Sequence, residues 1–228
     1  MEDYSKRIQF YTEYAPPLLL DSLSKTVWNT YLDLGCGDGS FLYALDNRGL
    51  FSGKTVYAVD HSKSRLEQVQ GINEKFICVA DDVCKTQVQA ASIDFLVSTQ
   101  VIEHVTDDAD MVREIYRLLS PNGTVYLSTV FKKWYGWYFY RCNGRWTLDP
   151  THLREYSKDD QLLPIFEQCG FEILEDRKTL DGRPIMDAIL RRIGAGRKVY
   201  DNSVLNLLRR LTIPIPGYYI WEIVGRKR

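Results

Sequence analysis

The sequence predicts an α/β fold: a doubly wound, seven-stranded and mostly parallel sheet with helices on both faces. Three observations carry this. A short apolar strand runs into a glycine-rich turn and then a helix over Thr30–Leu42. Between residues 31 and 129, short β-branched runs alternate with amphipathic helical stretches, the pattern of parallel strands covered on both faces. Two further strand-like runs, Phe171–Arg177 and Tyr218–Gly225, then close the chain.

The elements follow in order. Residues 4–25 carry aromatic and aliphatic positions broken by Pro16-Pro17, which reads as two short cap helices, the second starting near Pro16. Strand 1 is Tyr31–Leu34, with a helix at Ser40–Asn47. Strand 2 is Thr55–Val59 ending in Asp60, with a helix at Ser62–Gln70. Strand 3 is Lys75–Ala80 ending in Asp81-Asp82. Strand 4 is Ile93–Ser98, followed by a helix at Asp107–Leu119, and strand 5 is Gly123–Thr129. A helix over Ser157–Gly170 with Ser157 as its N-cap precedes strand 6. The whole reads as one domain, 1–228: cap helices over 1–29, a core over 30–130, and two insertions, 131–156 and 180–217.

Composition bounds the function. The chain has 228 residues, 45% hydrophobic and 26% charged, with a formal net charge of −1, so nothing draws it globally toward nucleic acid. Its five cysteines, at 36, 78, 84, 142 and 169, have no zinc-ligand spacing and read as reduced thiols of a cytoplasmic protein. No apolar run approaches the ~20 residues that span a bilayer, although peripheral contact with a membrane surface stays open.

The glycine turn sets the chemistry. Gly35, Gly37 and Gly39 permit left-handed backbone and close approach of a ligand, and the following helix offers a partial positive charge. Asp33 and Asp38 flank the turn; they would repel a diphosphate but attract an ammonium group. A zwitterionic amino-acid moiety satisfies both ends. The segment resembles motif I of the class I, Rossmann-like S-adenosylmethionine-dependent methyltransferases.

The rest of the chain extends the likeness. Asp60 stands near the distance, ~20 residues past the turn, at which an acid takes ribose hydroxyls. Asp81, with Asp82 as the alternative, resembles the family's adenine-reading acid. Ser98–Val105 resembles the segment after strand 4, which places the main chain near Gln100 beside the sulfonium. In a quinone-pathway subset an acid three positions before a Glu-His pair completes a metal site. Here Gln100 occupies that position before Glu103-His104, so no metal is expected. Ser120-Pro121-Asn122-Gly123 entering strand 5 is a further family signature, and the family's sheet ends with an antiparallel last strand.

The acceptor side is read from residues 131–156. Asp149-Pro150-Thr151-His152-Leu153-Arg154-Glu155-Tyr156 resembles a segment of small-molecule O-methyltransferases, and His152 is the candidate base or, alternatively, a histidine that pins the loop. Arg154, Glu155 and Tyr156 are candidates for acceptor recognition. The aromatic and basic run Phe131–Trp146 suits a sugar or quinone pocket, a lipid interface, single-stranded RNA or a plain cap. Arginines over 183–210 suit phosphates of a diphospho-sugar, a lipid carrier or an anionic membrane. The resemblance thus implies methyl transfer from S-adenosyl-L-methionine to a small molecule, to a hydroxyl of a glycan, quinone or lipid-linked metabolite. The alternatives are an RNA methyltransferase, which near-neutral charge disfavours, and a non-catalytic cofactor-binding partner subunit.

Overall fold

A computed structural model describes residues 14–142, 145–184 and 212–228. Helix α1 (Pro17–Lys25) opens the described chain, with Pro17 in its first turn. The alternating core follows as β1 (Thr30–Leu34), α2 (Ser40–Asp46), β2 (Thr55–Asp60), α3 (Lys63–Gln70), β3 (Ile77–Ala80), β4 (Ile93–Thr99), α4 (Asp108–Leu118) and β5 (Leu119–Lys132). A small hairpin, β6 (Tyr140–Cys142) and β7 (Arg145–Thr147), interrupts before α5 (Leu163–Gln168), β8 (Phe171–Pro184) and β9 (Thr212–Lys227). The earlier of the two expected cap helices lies outside the described residues, except for its last positions.

Seven strands form one sheet in the order β3-β2-β1-β4-β5-β9-β8. Neighbours from β3 to β5 are parallel, and β9 runs antiparallel to both β5 and β8. This is the expected sheet with its antiparallel last strand. Period-two alternation sends successive residues to opposite faces. Leu32, Leu34, Leu96, Val125, Leu127 and Ile223 pack with α4 and α5 on one side. Tyr31, Val56, Ala58, Phe95, Val97 and Tyr126 pack with α1, α2 and α3 on the other. Strand order reverses between β1 and β4, so their carboxyl ends diverge into the crevice where ligands of open α/β sheets bind.

Expected boundaries move in β5 and in the helix before β8. Strand β5 starts at Leu119, not Gly123, because Leu119 pairs with Ile93 before the register slips; Asn122, at φ +63°, takes the left-handed bend inside that slip. The strand also continues to Lys132, two residues into the expected insertion. The helix expected at Ser157–Gly170 divides into a 3-10 turn at Asp159–Gln161 and the short α5. Ser157 is not its N-cap: the Gln161 side chain reaches back and accepts from the Ser157 and Lys158 N–H groups at 2.7 and 2.9 Å.

Strands β8 and β9 are 14 and 16 residues long and run past the end of β5 as a two-stranded arm. Pro214 and Pro216 argue against a strand in the sequence, because proline has no N–H for a ladder. The arm resolves this. Beyond the Lys132–Tyr218 pair, β9 has no β5 partner, so its outer edge needs no ladder donors. The carbonyls there are used instead: Gly217 and Pro216 accept from the N–H groups of Lys133 (2.8 Å) and Trp137 (3.3 Å).

Candidate active site

The glycine turn sits at the carboxyl end of β1, and all three glycines are left-handed, at φ +80°, +54° and +79° for Gly35, Gly37 and Gly39. At Gly35 a Cβ would lie 2.4 Å from Val101 Cγ2, so the turn packs directly on the segment after β4. The turn is held by backbone bonds: Gly35 and Cys36 N–H both donate to Val59 C=O (2.8 and 2.9 Å), and Gly39 N–H donates to Cys36 C=O (2.9 Å).

Asp60 closes the same knot. Its Oδ2 accepts from Gly37 N–H at 3.0 Å and its Oδ1 from Ser62 N–H at 2.9 Å, fixing the carboxylate between β2 and the turn. Each oxygen keeps a lone pair for a further donor. Asp33 is 2% exposed on β1; burial first, then the nearby Asp60 charge, push its carboxyl up to about 7. Its Oδ1 has no hydrogen-bond partner among the described residues. A ligand ammonium is the kind of donor this atom lacks. Asp38 behaves differently, since Arg65 from α3 lies with its Nε 3.5 Å away and both side chains are almost fully buried.

Asp81 and Asp82 follow β3 in a tight loop. Asp81 accepts from Gln87 N–H at 2.7 Å and Asp82 from Cys84 N–H at 2.8 Å, so both acids brace the loop that carries them. Gln100 is exposed at φ +55°, and its N–H donates to Ser128 C=O at 2.8 Å. That strained backbone after β4 turns the chain toward Gly35.

The acceptor-side residues gather over the ends of β4 and β5. Glu103 is fully buried; Thr129 donates to its Oε2 at 2.9 Å, while Oε1 has no hydrogen-bond partner among the described residues. Burial is the main cause that lifts Glu103 to about 7. The Leu153 N–H donates to the Glu103 carbonyl at 2.9 Å, which lays the 149–156 segment across this corner. His152, its side chain 5% exposed, meets Glu155 Oε1 through Nδ1 at 3.1 Å. The His104 and His152 rings lie 4.9 Å apart, edge to face. Burial, then the neighbouring His152, lowers the pKa of His104. Ligand-type atoms of Glu103, His104 and His152 all fall within 4.8 Å of one another.

Glu155 is the hub of this corner. Burial alone would raise it, but hydrogen bonds from His152, Leu148 N–H and Thr147 outweigh burial and hold it below the usual carboxylate range. Arg154 is tied down instead, donating to the Thr106 carbonyl at 2.6 Å, and the Tyr156 hydroxyl donates to Asp108 at 3.0 Å. Sequence reasoning did not single out Arg65, Thr129 or Val101. Arg65 had no signal beyond a helical position, because its burial depends on Asp38 arriving from another element.

The comparisons with known proteins agree with this fold. The methyltransferase-domain family matches residues 32–127. A probable S-adenosylmethionine-dependent methyltransferase of Mycobacterium tuberculosis is 28% identical over 176 residues, covering 72% of this chain and 61% of that protein. A ubiquinone biosynthesis O-methyltransferase of Acinetobacter baumannii is 32% identical over 104 residues, 43% of each chain. The chain therefore spans about three fifths or less of the curated relatives it matches. Among solved structures, an S-adenosylmethionine-dependent methyltransferase of Methanosarcina mazei superposes with a TM-score of 0.64 at 15% identity, over 93% of this chain and 98% of that one. A [4+2]-cyclase superposes at 0.61 and 18% identity, over 92% and 80%. At such identity the likeness shows the fold alone. Residues 32–127 are thus similar to the methyltransferase-domain family, and the sheet order and the glycine turn agree with that likeness.

Proposed function

We propose that this protein transfers a methyl group from S-adenosylmethionine to a hydroxyl of a small molecule. The observation that carries the reading is a pair of corners at the carboxyl ends of the parallel strands. One is a glycine turn braced by Asp60, with Asp33 Oδ1 on the adjoining end of β1 lacking a hydrogen-bond partner among the described residues. The other is His152 oriented by Glu155 over the ends of β4 and β5. Bound in the crevice, S-adenosylmethionine supplies an electrophilic methyl group. Asp33 and the turn would hold its amino-acid end, Asp60 its ribose hydroxyls, Asp81 or Asp82 its adenine, and the main chain at Gln100 the region of the sulfonium.

The chain's remaining task is to align a nucleophile, exclude water and accept a proton. Glu155 engages His152 through Nδ1, which leaves Nε2 as the nitrogen to take the hydroxyl proton. Glu155 acts as a positioning residue and stabilises the imidazolium once it forms. Insertions 131–156 and 180–217 would shape an acceptor pocket for a glycan, quinone or lipid-linked metabolite. Phosphorylated acceptors suit the basic second insertion, and the free thiols suit a reducing compartment such as the cytoplasm.

The test is an acceptor screen with labelled cofactor, followed by His152→Ala. Turnover is expected to fall about 100-fold or more, with the affinity for S-adenosylhomocysteine unchanged by calorimetry. An unaltered rate would dismiss His152 as the base. A second reading has one observation behind it: Glu103, His104 and His152 form a compact set of metal-ligand types, with Glu103 Oε1 left over. Loss of activity on chelation, restored by one divalent cation, would favour that reading over a metal-free base.

A further inference from the structure

We propose that the aromatic loop after β5, residues 133–140, is an interfacial anchor that docks the protein on an anionic phospholipid bilayer. The loop is built to stay exposed. Trp134 is 93% exposed and Phe139 74%, with Tyr135, Trp137 and Tyr140 between 43% and 49%. Large apolar side chains clustered this way are scarce on the free surface of soluble proteins, and such a patch marks an interaction site. Tryptophan and tyrosine combine an apolar ring with a polar edge, which fits the headgroup level of a membrane.

In sequence, the loop lies in a cationic stretch. No Asp or Glu occurs from residue 115 to residue 148, while Lys133, Arg141 and Arg145 lie in that stretch; Lys132 is already paired with Glu155 at 3.4 Å. The sequence between β8 and β9, outside the described residues, is basic as well, with Arg191, Arg192, Arg197, Lys198, Arg209 and Arg210 against Asp187 and Asp201. The protein as a whole carries −1, so this cationic bias is local. Aromatics for insertion and cations for anionic headgroups are the two signals that together give stable peripheral binding.

The loop is also held in shape before any partner arrives. Lys133 C=O accepts from Gly136 N–H at 2.8 Å, closing a turn, and the turn sits on the β8–β9 arm through the bonds to Gly217 and Pro216. Gly136 and Gly217 meet backbone to backbone: a Cβ on Gly217, whose φ is +75°, would lie 2.5 Å from Gly136 Cα. A fixed tip loses little conformational entropy on docking.

A bilayer fits better than a single-stranded nucleic acid. The rings contact one another edge to face, with Trp134–Tyr135 at 86° and Trp137–Phe139 at 66°, so they form a continuous knob instead of separate flat platforms for bases. The loop leaves the carboxyl end of β5, the end that carries His152 and Gln100, and Lys132 N–H donates to Tyr156 C=O at 2.7 Å. Docking would therefore bring the acceptor side close to the membrane. If the proposed methyl transfer holds, the acceptor then reaches the site from the lipid phase; the docking itself does not rest on that reading.

The experiment is flotation of the full chain with phosphatidylcholine vesicles, with and without phosphatidylglycerol. Wild type is expected to float with the phosphatidylglycerol vesicles, and binding should weaken as salt is added. The Trp134→Ser/Phe139→Ser variant should lose roughly tenfold or more of that binding, both side chains being exposed apolar contributors, while keeping its thermal melt and S-adenosylhomocysteine affinity. The proposal is overturned if wild type binds neither vesicle at low salt, or if the variant binds as well as wild type. It is also overturned if labelled single-stranded RNA, and not vesicles, shows the dependence on Trp134 and Phe139. Loss of cofactor affinity in wild type would count against the methyltransferase reading and leave the anchor standing.

Discussion

At Gly35 a single missing Cβ lets two strands' loops touch. The residue is left-handed and Val101 fills the space a side chain would take. Gly35→Ala meets both obstacles: about 1–2 kcal/mol for left-handed alanine and the overlap with Val101. Chemical denaturation should show a loss of about 2 kcal/mol or more, and adding Val101→Ala should return only part of it, because the backbone strain persists. Asp33 governs a second residue-scale effect. Its folded carboxyl titrates at about 7 against an ordinary 3.8, so the folded state holds a proton that the unfolded chain has already released. Its contribution to stability is full below the lower value and is lost as pH rises through the higher one. Denaturation midpoints measured across that window should decline with pH in the wild type and decline less steeply in Asp33→Asn, the remainder coming from Glu103, which is raised in the same way. An ammonium-bearing ligand should reduce the decline as well, since it favours the carboxylate.

Elements add effects that no single side chain explains. Helix α4 starts at Asp107, whose carboxylate accepts from Asp110 N–H at 3.1 Å, with Asp108 and Asp110 in its first turn. The acids complement the unpaired N–H groups and the positive helix end. Asp107→Ala should cost about 1 kcal/mol by thermal denaturation, and Asp107→Asn much less, because the amide oxygen still caps. Elsewhere sequence reasoning fell short for identifiable reasons. The β6–β7 hairpin was readable from Asn143-Gly144 between aromatic and basic runs, a strong hairpin signal that the charge and aromatic content of the stretch obscured. The long arm of β8 and β9 was not readable. Lys178–Gly182 lacks strand alternation, and Pro214 and Pro216 give no strand signal ahead of the expected Tyr218–Gly225, because proline has no ladder donor.

For the whole molecule, the sheet order decides where chemistry happens. Reversal between β1 and β4 brings the glycine turn and the segment after β4 to the same end of the sheet, where Gly35 packs on Val101, although the two are far apart in sequence. A ligand held there stabilises every element that builds the crevice. S-adenosylhomocysteine at 100 times its dissociation constant should stabilise the fold by about 2.7 kcal/mol. Asp60→Ala should abolish most of that gain at the same ligand concentration; an undiminished gain would remove Asp60 from the ribose role.

Local pattern was enough to reveal the alternating strands and helices, the glycine turn, and the acids that end β2 and β3, because periodicity and backbone freedom are encoded within a few neighbours. Those short-range signals also carry the likeness to the methyltransferase-domain family, which matches residues 32–127. Tertiary structure alone decided that Arg65 is spent on Asp38, that Asp33 keeps a buried oxygen without a partner among the described residues, and that Glu155 holds His152 at the end of β5. Each of these depends on burial and on a partner from a distant part of the chain. Charge, pairing and accessibility are properties of the packed neighbourhood, and a residue's letters in sequence do not specify which neighbours it will meet.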